Sequence, residues 1–393
     1  MTPSNGPIGS RIPALDGLRG LAISLVVFHH YAYFAYSKSS HNWLAYVIHA
    51  IFPLSWTGVD LFFVLSGFLI GGILMDYRNT ENYFRTFYIR RICRIFPLYF
   101  FWLVLFAILP WLLSACCFQG WYNWLFAKDF SKVPMWSYTV FLQNIFFSRT
   151  FLAASYWMIV TWSLAVEEQF YLLLPAIIWF VPVRKLPYVL ALLILFAPGY
   201  RLFLYLYHPE IYTFVLLPCR MDTLLTGVLC AYWIRHERSR LWLEKRQGRL
   251  YPALVVLLAG AGYLTANANS PYSFEMVFLG YSWLALLYAC LLLIVITEKK
   301  GIIISFMHLP LLRNLGIIAY GVYLMHFAIN ILMHGLILGR EMYITNLLDV
   351  SVTVMALFTT LLLATLSWHF FEKPIIKWGH SFSYNDKNIQ PVK

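Results

Sequence analysis

Apolar residues run along this chain in long blocks, and polar and charged residues gather in the short gaps between them. Each block is close to the ~20 residues that a helix needs to cross ~30 Å of hydrocarbon. The pattern predicts about ten membrane-spanning helices, at 14–36, 52–75, 95–114, 160–182, 186–206, 213–234, 251–268, 276–296, 311–337 and 347–371. The blocks fill nearly the whole sequence. No stretch between them is long enough to bury a separate soluble core, so residues 1–393 read as one all-α integral membrane domain. An even number of spans puts both termini on the same side.

One apolar piece, Ser137–Phe147, is too short to cross and contains Gln143 and Asn144. Counting it as a span would move the basic Arg235–Arg249 loop to the outside, so it is expected to be interfacial or re-entrant on the outer face. The neighbouring segment 115–136, together with Trp111, brings Trp121, Tyr122, Trp124 and Trp136, which suit an aromatic belt at the membrane surface. No internal repeat stands out, which weighs against a transporter built from inverted repeats.

Composition agrees with the pattern: 61% of residues are hydrophobic and 12% charged. The net charge of +12 raises the question of a nucleic-acid partner, and its distribution answers it. Of the 29 Lys and Arg residues, five (Lys38, Lys128, Lys132, Arg149 and Arg340) fall on segments assigned to the outside. Four more (Arg19, Arg201, Arg220 and Arg313) fall inside spans, and the other 20 lie on the cytoplasmic side. That bias is a topology signal for an N-in, C-in multi-pass protein in contact with lipid, not a polyanion patch. The six cysteines show neither metal-ligand spacing nor a disulfide framework. No charged region and cleavage site flank the first apolar run, so it is expected to be a retained helix.

Charge inside hydrocarbon needs a partner or a function. The predicted spans hold Asp16, Arg19, His29, His30, Asp60, Glu167, Glu168, Arg220, Asp222 and His326. His30 lies about six residues from the outer end of its span. Asp60, Glu167, Glu168, Arg220 and Asp222 lie about seven to nine residues from theirs, so at 1.5 Å per residue the groups share one layer in the outer half of the bilayer. The expectation is a polar chamber there. For His326 with Tyr320 and Tyr323, at i, i+3 and i+6, a core-packing role is the favoured reading.

A second set, Arg90, Arg91 and Arg94, sits just before the third span, and Arg19 lies near the inner end of the first. Arg91 and Arg94 are three apart and share a helix face. Paired guanidiniums suit a phosphate or pyrophosphate, and they also suit anchoring to anionic lipid. From Arg19 to His30 is ~16 Å along a helix, a line that would suit a long ligand threaded into the protein. Glu167 and Glu168 point about 100° apart, so at most one faces a given partner.

These stretches resemble the membrane acyltransferase type 3 family, whose members O-acylate carbohydrates and related molecules. The likeness runs from Ile12 to Pro374. It is carried by IPALDGLRGLAISLVVFHH (12–30), GVDLFFVLSGFLI (58–70, with Asp60 and Ser66), RRICRIFPLY (90–99) and WSLAVEEQFYLLLP (162–175). CRMDTLLTG (219–227), YGVYLMH (320–326) and FEKP (371–374) add weaker matches. The Arg–ten residues–His spacing of the first stretch selects His30 over His29, and Arg91 and Arg94 make the Arg-x-x-Arg pattern. Some members carry an appended esterase-like domain; this chain is expected to be a stand-alone ten-helix transferase.

The resemblance implies an acyl-CoA co-substrate, acetyl-CoA foremost, delivered from the cytoplasm to Arg91 and Arg94 with Arg90 and Arg19. It implies no permanently bound cofactor or metal and a bacterial inner-membrane location. His30 would be the base, or would first accept the acyl group, and Glu167 or Glu168 would orient it. Asp60, Ser66, Arg220, Asp222, Tyr323 and His326 would complete the chamber or the carbohydrate acceptor site. The rival reading is a proton-coupled saccharide exporter that uses the same His and carboxylates as a relay.

Overall fold

The computed structural model describes residues 12–33, 35, 52, 54–114, 132–150, 155–209, 211–267 and 272–384. Segment 115–131, with Trp121, Tyr122 and Trp124 of the expected aromatic belt, lies outside the described residues. Among those described, all regular structure is helical and no strand occurs.

Each predicted span is occupied by a helix. Counting only helices of eight residues or more, α1 (Pro13–Phe28) runs on into a π-turn at His29–Tyr33. It is followed by α2 (Gly58–Asp76), α3 (Tyr83–Ser114), α4 (Gln143–Thr150), α5 (Thr161–Phe180) and α6 (Leu186–Tyr207). Then come α7 (Leu217–Arg235), α8 (Glu237–Lys245), α9 (Leu250–Asn267) and α10 (Tyr281–Thr297). The last are α11 (Pro310–Leu338), α12 (Leu347–Ser367) and α13 (Lys373–His380). Among the described residues, seven helical stretches are long and apolar enough to cross a membrane: those containing α2, α3, α5, α6, α10, α11 and α12. α1 falls outside this set because Asp16, Arg19, His29 and His30 lower the apolarity of 13–33, and α7 because Arg220 and Asp222 do the same there.

α3 starts well before the expected span 95–114. Residues 83–94 contain neither Pro nor Gly, and Tyr83 and Phe87, four apart, are both buried. Arg85, Arg90, Arg91 and Arg94 therefore belong to the helix itself, which fixes the direction of each guanidinium.

Two helix pairs approach to backbone contact through glycine. In α1 against α11, a Cβ on Gly20 would stand 1.9 Å from the Leu312 carbonyl oxygen, and one on Gly316 would stand 1.8 Å from that of Asp16. In α2 against α7, a Cβ on Gly67 would stand 1.8 Å from the Leu224 oxygen, and one on Gly227 would stand 2.1 Å from that of Val64. Lipid supplies little hydrophobic drive between helices, so this close packing of small residues does the joining.

The piece around Ser137–Phe147 folds into the protein as a short helix, Met135–Thr139, and α4, turned through Phe141 at φ 56°. Gln143 and Asn144 are fully buried. The Gln143 amide donates to the Thr161 carbonyl at 3.1 Å, and that of Asn144 donates to the Val215 carbonyl at 3.0 Å. Both side chains are thus anchored within the protein, against α5 and the turn before α7.

Candidate active site

A cavity of about 150 Å³ lies between α1, α2, α3, α5 and α11. Its wall follows helical spacing. From α5 come Ser163, Glu167 and Tyr171 at i, i+4 and i+8, and from α11 come Gly316, Ala319, Tyr320 and Tyr323. Arg91 and Arg94 enter from α3, Arg19 from α1 and Ser66 from α2. Because Ser163, Glu167 and Tyr171 share a face, Glu167 faces the cavity, and Glu168, about 100° around the helix, is not among its lining residues.

The arginine end gathers three guanidiniums. Arg19 has Asp16 at 3.4 Å. Among the described residues Arg91 and Arg94 form no direct salt bridge, and the buried Nε of Arg91 has no hydrogen-bond partner. Arg94 lies 5.6 Å from the centre of the Trp368 ring. Arg90 is occupied elsewhere: its Nε donates to the Phe382 carbonyl at 3.0 Å, and its guanidinium stands 5.0 Å from the Tyr384 ring centre. Arg90 is not among the lining residues of the cavity and ties α3 to the segment after α13.

Farther along, hydroxyls take over. Ser66 Oγ and Tyr171 Oη are 2.6 Å apart, and the Glu167 carboxylate reaches both. Tyr323 Oη donates to the Val160 carbonyl at 2.9 Å and also meets Ser163 Oγ. Ser163 and Tyr171 were not singled out in the sequence, although their spacing to Glu167 on one helix was legible.

One turn beyond Tyr323, α11 presents His326, which is fully buried. Its Nε2 is 3.0 Å from His30 Nδ1, across the α1–α11 interface. His30 sits in the π-turn that ends α1, a local widening that recurs at functional sites. Its Nδ1 is also 3.0 Å from the Val26 carbonyl. His30 itself is not among the cavity's lining residues. Its partner His326 stands with its ring centre 6.0 Å from that of Tyr323, which does line the cavity. His29 turns away to Ser55 Oγ at 3.3 Å and stacks on Tyr33. Two expectations change here. The ring beside His30 belongs to His326, and Glu167 lies instead toward Ser66 and Tyr171. The cause lies in the packing, since the glycine-mediated approach of α1 to α11 brings the two imidazoles together.

Residues 12–369 match the family model described as an acyltransferase domain, of type 3. The chain belongs to the acyltransferase type 3 family. With its apolar helices it is a multi-pass integral membrane protein. It is 26% identical to a provisionally named O-acetyltransferase of Staphylococcus aureus, over 94% of this chain and 58% of that protein. It is 28% identical to a provisionally named peptidoglycan O-acetyltransferase of Bacillus subtilis, over 95% and 56% respectively. It is 26% identical to a peptidoglycan O-acetyltransferase of Listeria monocytogenes, over 96% and 58%. The chain thus spans less than three-fifths of the length of these relatives. No solved structure matches it.

Within this acyltransferase domain, Asp60, Arg220 and Asp222 do not line the cavity, contrary to expectation. Arg220 pairs with Asp60 at 2.5 Å, and Arg201 of α6 pairs with Asp222 at 2.9 Å, all four side chains being buried. Arg201 also donates to the Val277 carbonyl at 2.7 Å and to Ser282 Oγ at 2.8 Å. Arg220 lies 5.4 Å from the ring centre of Phe63, and Phe63 lines the cavity. The equal depth read from the sequence placed these charges in one layer, but the Phe63 ring divides that layer into a cavity and an ion-paired core. Arg201 was counted inside its span but given no partner, because that span carries no second charge.

Proposed function

We propose that the protein is a membrane O-acyltransferase that takes an acyl group, in the simplest case acetyl, from cytoplasmic acyl-CoA. The acceptor is a hydroxyl of a carbohydrate such as a cell-surface or exported polysaccharide, or its lipid-linked precursor, at the bacterial inner membrane. One observation carries the reading: a single cavity joins three guanidiniums, of which Arg91 and Arg94 have no salt bridge among the described residues, to a tyrosine end one helical turn from a histidine pair. The names of the Bacillus and Listeria relatives favour a glycan acceptor. The phosphates of the donor would lie on Arg19, Arg91 and Arg94, where Arg supplies paired donors. Its amide-bearing arm would run along Glu167, Ser66 and Tyr171, bringing the thioester past Tyr323 to His30.

At that point His30 Nε2 takes the proton of the acceptor hydroxyl as its oxygen bonds to the thioester carbonyl carbon. The carbon–sulfur bond breaks, and the departing CoA thiolate takes the proton back from His30. Attack by the same nitrogen on the carbonyl would instead give an acyl-histidine that the hydroxyl then opens. Purified protein in lipid discs, supplied with acetyl-CoA and candidate glycans, should release CoA thiol only when an acceptor is present and should leave the glycan acetylated. His30→Ala should fold and bind donor yet lose about 10²–10⁴-fold in turnover, the worth of a positioned base, whereas His29→Ala should keep most activity. Near-native turnover in a well-folded His30→Ala protein would overturn the reading.

A further inference from the structure

The geometry points to His326 as the positioning residue that fixes the tautomer and direction of His30, leaving His30 Nε2 as the bare nitrogen of the pair; this rests on the reading of His30 as the base. His326 Nδ1 faces only carbonyl oxygens, Tyr323 O at 2.7 Å and Val322 O at 3.1 Å. A carbonyl only accepts, so His326 Nδ1 must carry a hydrogen. In a neutral ring the other nitrogen then holds a lone pair, and that nitrogen, Nε2, is the atom 3.0 Å from His30 Nδ1. His30 Nδ1 meets this lone pair and the Val26 carbonyl at 3.0 Å, two acceptors and no donor. It must therefore be the protonated nitrogen of His30. The neutral ring then has its lone pair on Nε2, which has no hydrogen-bond partner among the described residues.

The backbone carbonyls of α11 thus set the state of His326, and His326 sets that of His30. Among the described residues no carboxylate pairs with either ring. When His30 Nε2 takes a proton, the positive charge is met at Nδ1 by a neutral imidazole lone pair and a peptide carbonyl. The arrangement differs from a serine-protease triad, where a carboxylate holds the corresponding Nδ1–H. Val26 alone can hold the hydrogen, so His326 adds direction: it pins the ring from the opposite helix while α1 loosens into its π-turn.

The test uses the full-length protein in lipid discs. His326→Leu removes the acceptor. It should lower kcat by roughly 10- to 100-fold, part of the full worth of a positioned base, while acetyl-CoA binds as before. His326→Gln offers a side-chain oxygen to His30 Nδ1–H and should recover part of that loss, which a residue that merely filled space would not do. Nitrogen-15 spectra of the histidine-labelled native protein, with His30 and His326 assigned from the His30→Gln and His326→Gln samples, should show both rings protonated at Nδ1 and bare at Nε2. That measurement stands even if His326→Leu fails to fold. An inactive His30→Ala beside a His326→Leu protein with native kcat would overturn the positioning role alone, as would an Nε2-protonated His326. An active His30→Ala would instead overturn the assignment of the base.

Discussion

At the scale of single residues, the three neighbouring arginines of α3 have different tasks. Arg91 and Arg94 line the cavity, whereas Arg90 is bound to the Phe382 carbonyl and the Tyr384 ring. Arg91→Ala or Arg94→Ala should therefore weaken acyl-CoA binding by ~1.5–3 kcal/mol each, the scale of a charge-assisted hydrogen bond. Lysine at either position should restore only part, because the planar fork is lost. Arg90→Ala should leave donor affinity within about twofold and act on stability instead, as a rim contact does when it makes no ligand hydrogen bond. Calorimetric titration of the five variants with acetyl-CoA checks this ordering. Equal effects at all three positions would mean that the run attracts the donor only as a patch of charge.

Between elements, the close approach at glycine is what sets the site. α1 must touch α11 for His30 to meet His326, and α2 must touch α7 for Ser66 and Phe63 to be held in the cavity wall. Gly227→Ala would press a methyl group to 2.1 Å from the Val64 carbonyl oxygen, a backbone atom that cannot swing away. The expected cost is about 1–3 kcal/mol of overpacking, read as a lower melting temperature in detergent and a lower yield of monodisperse protein. Gly199→Ala is the control, since no atom lies within 4 Å of its added Cβ. The buried Asp60–Arg220 and Arg201–Asp222 pairs belong to the same scale. They cross from α2 and α6 to α7, and each charge there is tolerable because the opposite charge lies within hydrogen-bond distance.

For the whole molecule, the charge count across the loops makes a definite claim about orientation. Reporter fusions at Gly248 and Asn388 should both report cytoplasm, and one at Ser131 should report the outside. The orientation matters for the proposed chemistry, in which Arg91 and Arg94 would face a cytoplasmic acyl-CoA and His30 would lie in the outer half. A Gly248 fusion that reads as external would reverse the direction of transfer. It would also require the Ser137–Phe147 region to cross the membrane, which its buried Gln143 and Asn144 amides oppose.

Much of this was legible in the sequence because the relevant physics is one-dimensional. A block of about 20 apolar residues reports a helix in lipid through its length alone, and charge in such a block reports a site or a partner. The family motifs, Arg19 to His30 and Arg91 with Arg94, each lie within a single helix and so keep their geometry when read as a string. What the string left open were relations between helices. Which glutamate faces inward followed from the shared face of Ser163, Glu167 and Tyr171 once the cavity was known. The start of α3 at Tyr83 was missed because arginines hid the apolar face formed by Tyr83 and Phe87. The division between the cavity and the Asp60–Arg220 core, and the choice of His326 rather than a glutamate beside His30, were decided only in three dimensions. Depth along a span gives a residue's height in the membrane, while its partner depends on helix rotation and distance of approach, which glycines and packed side chains set between segments far apart in the chain.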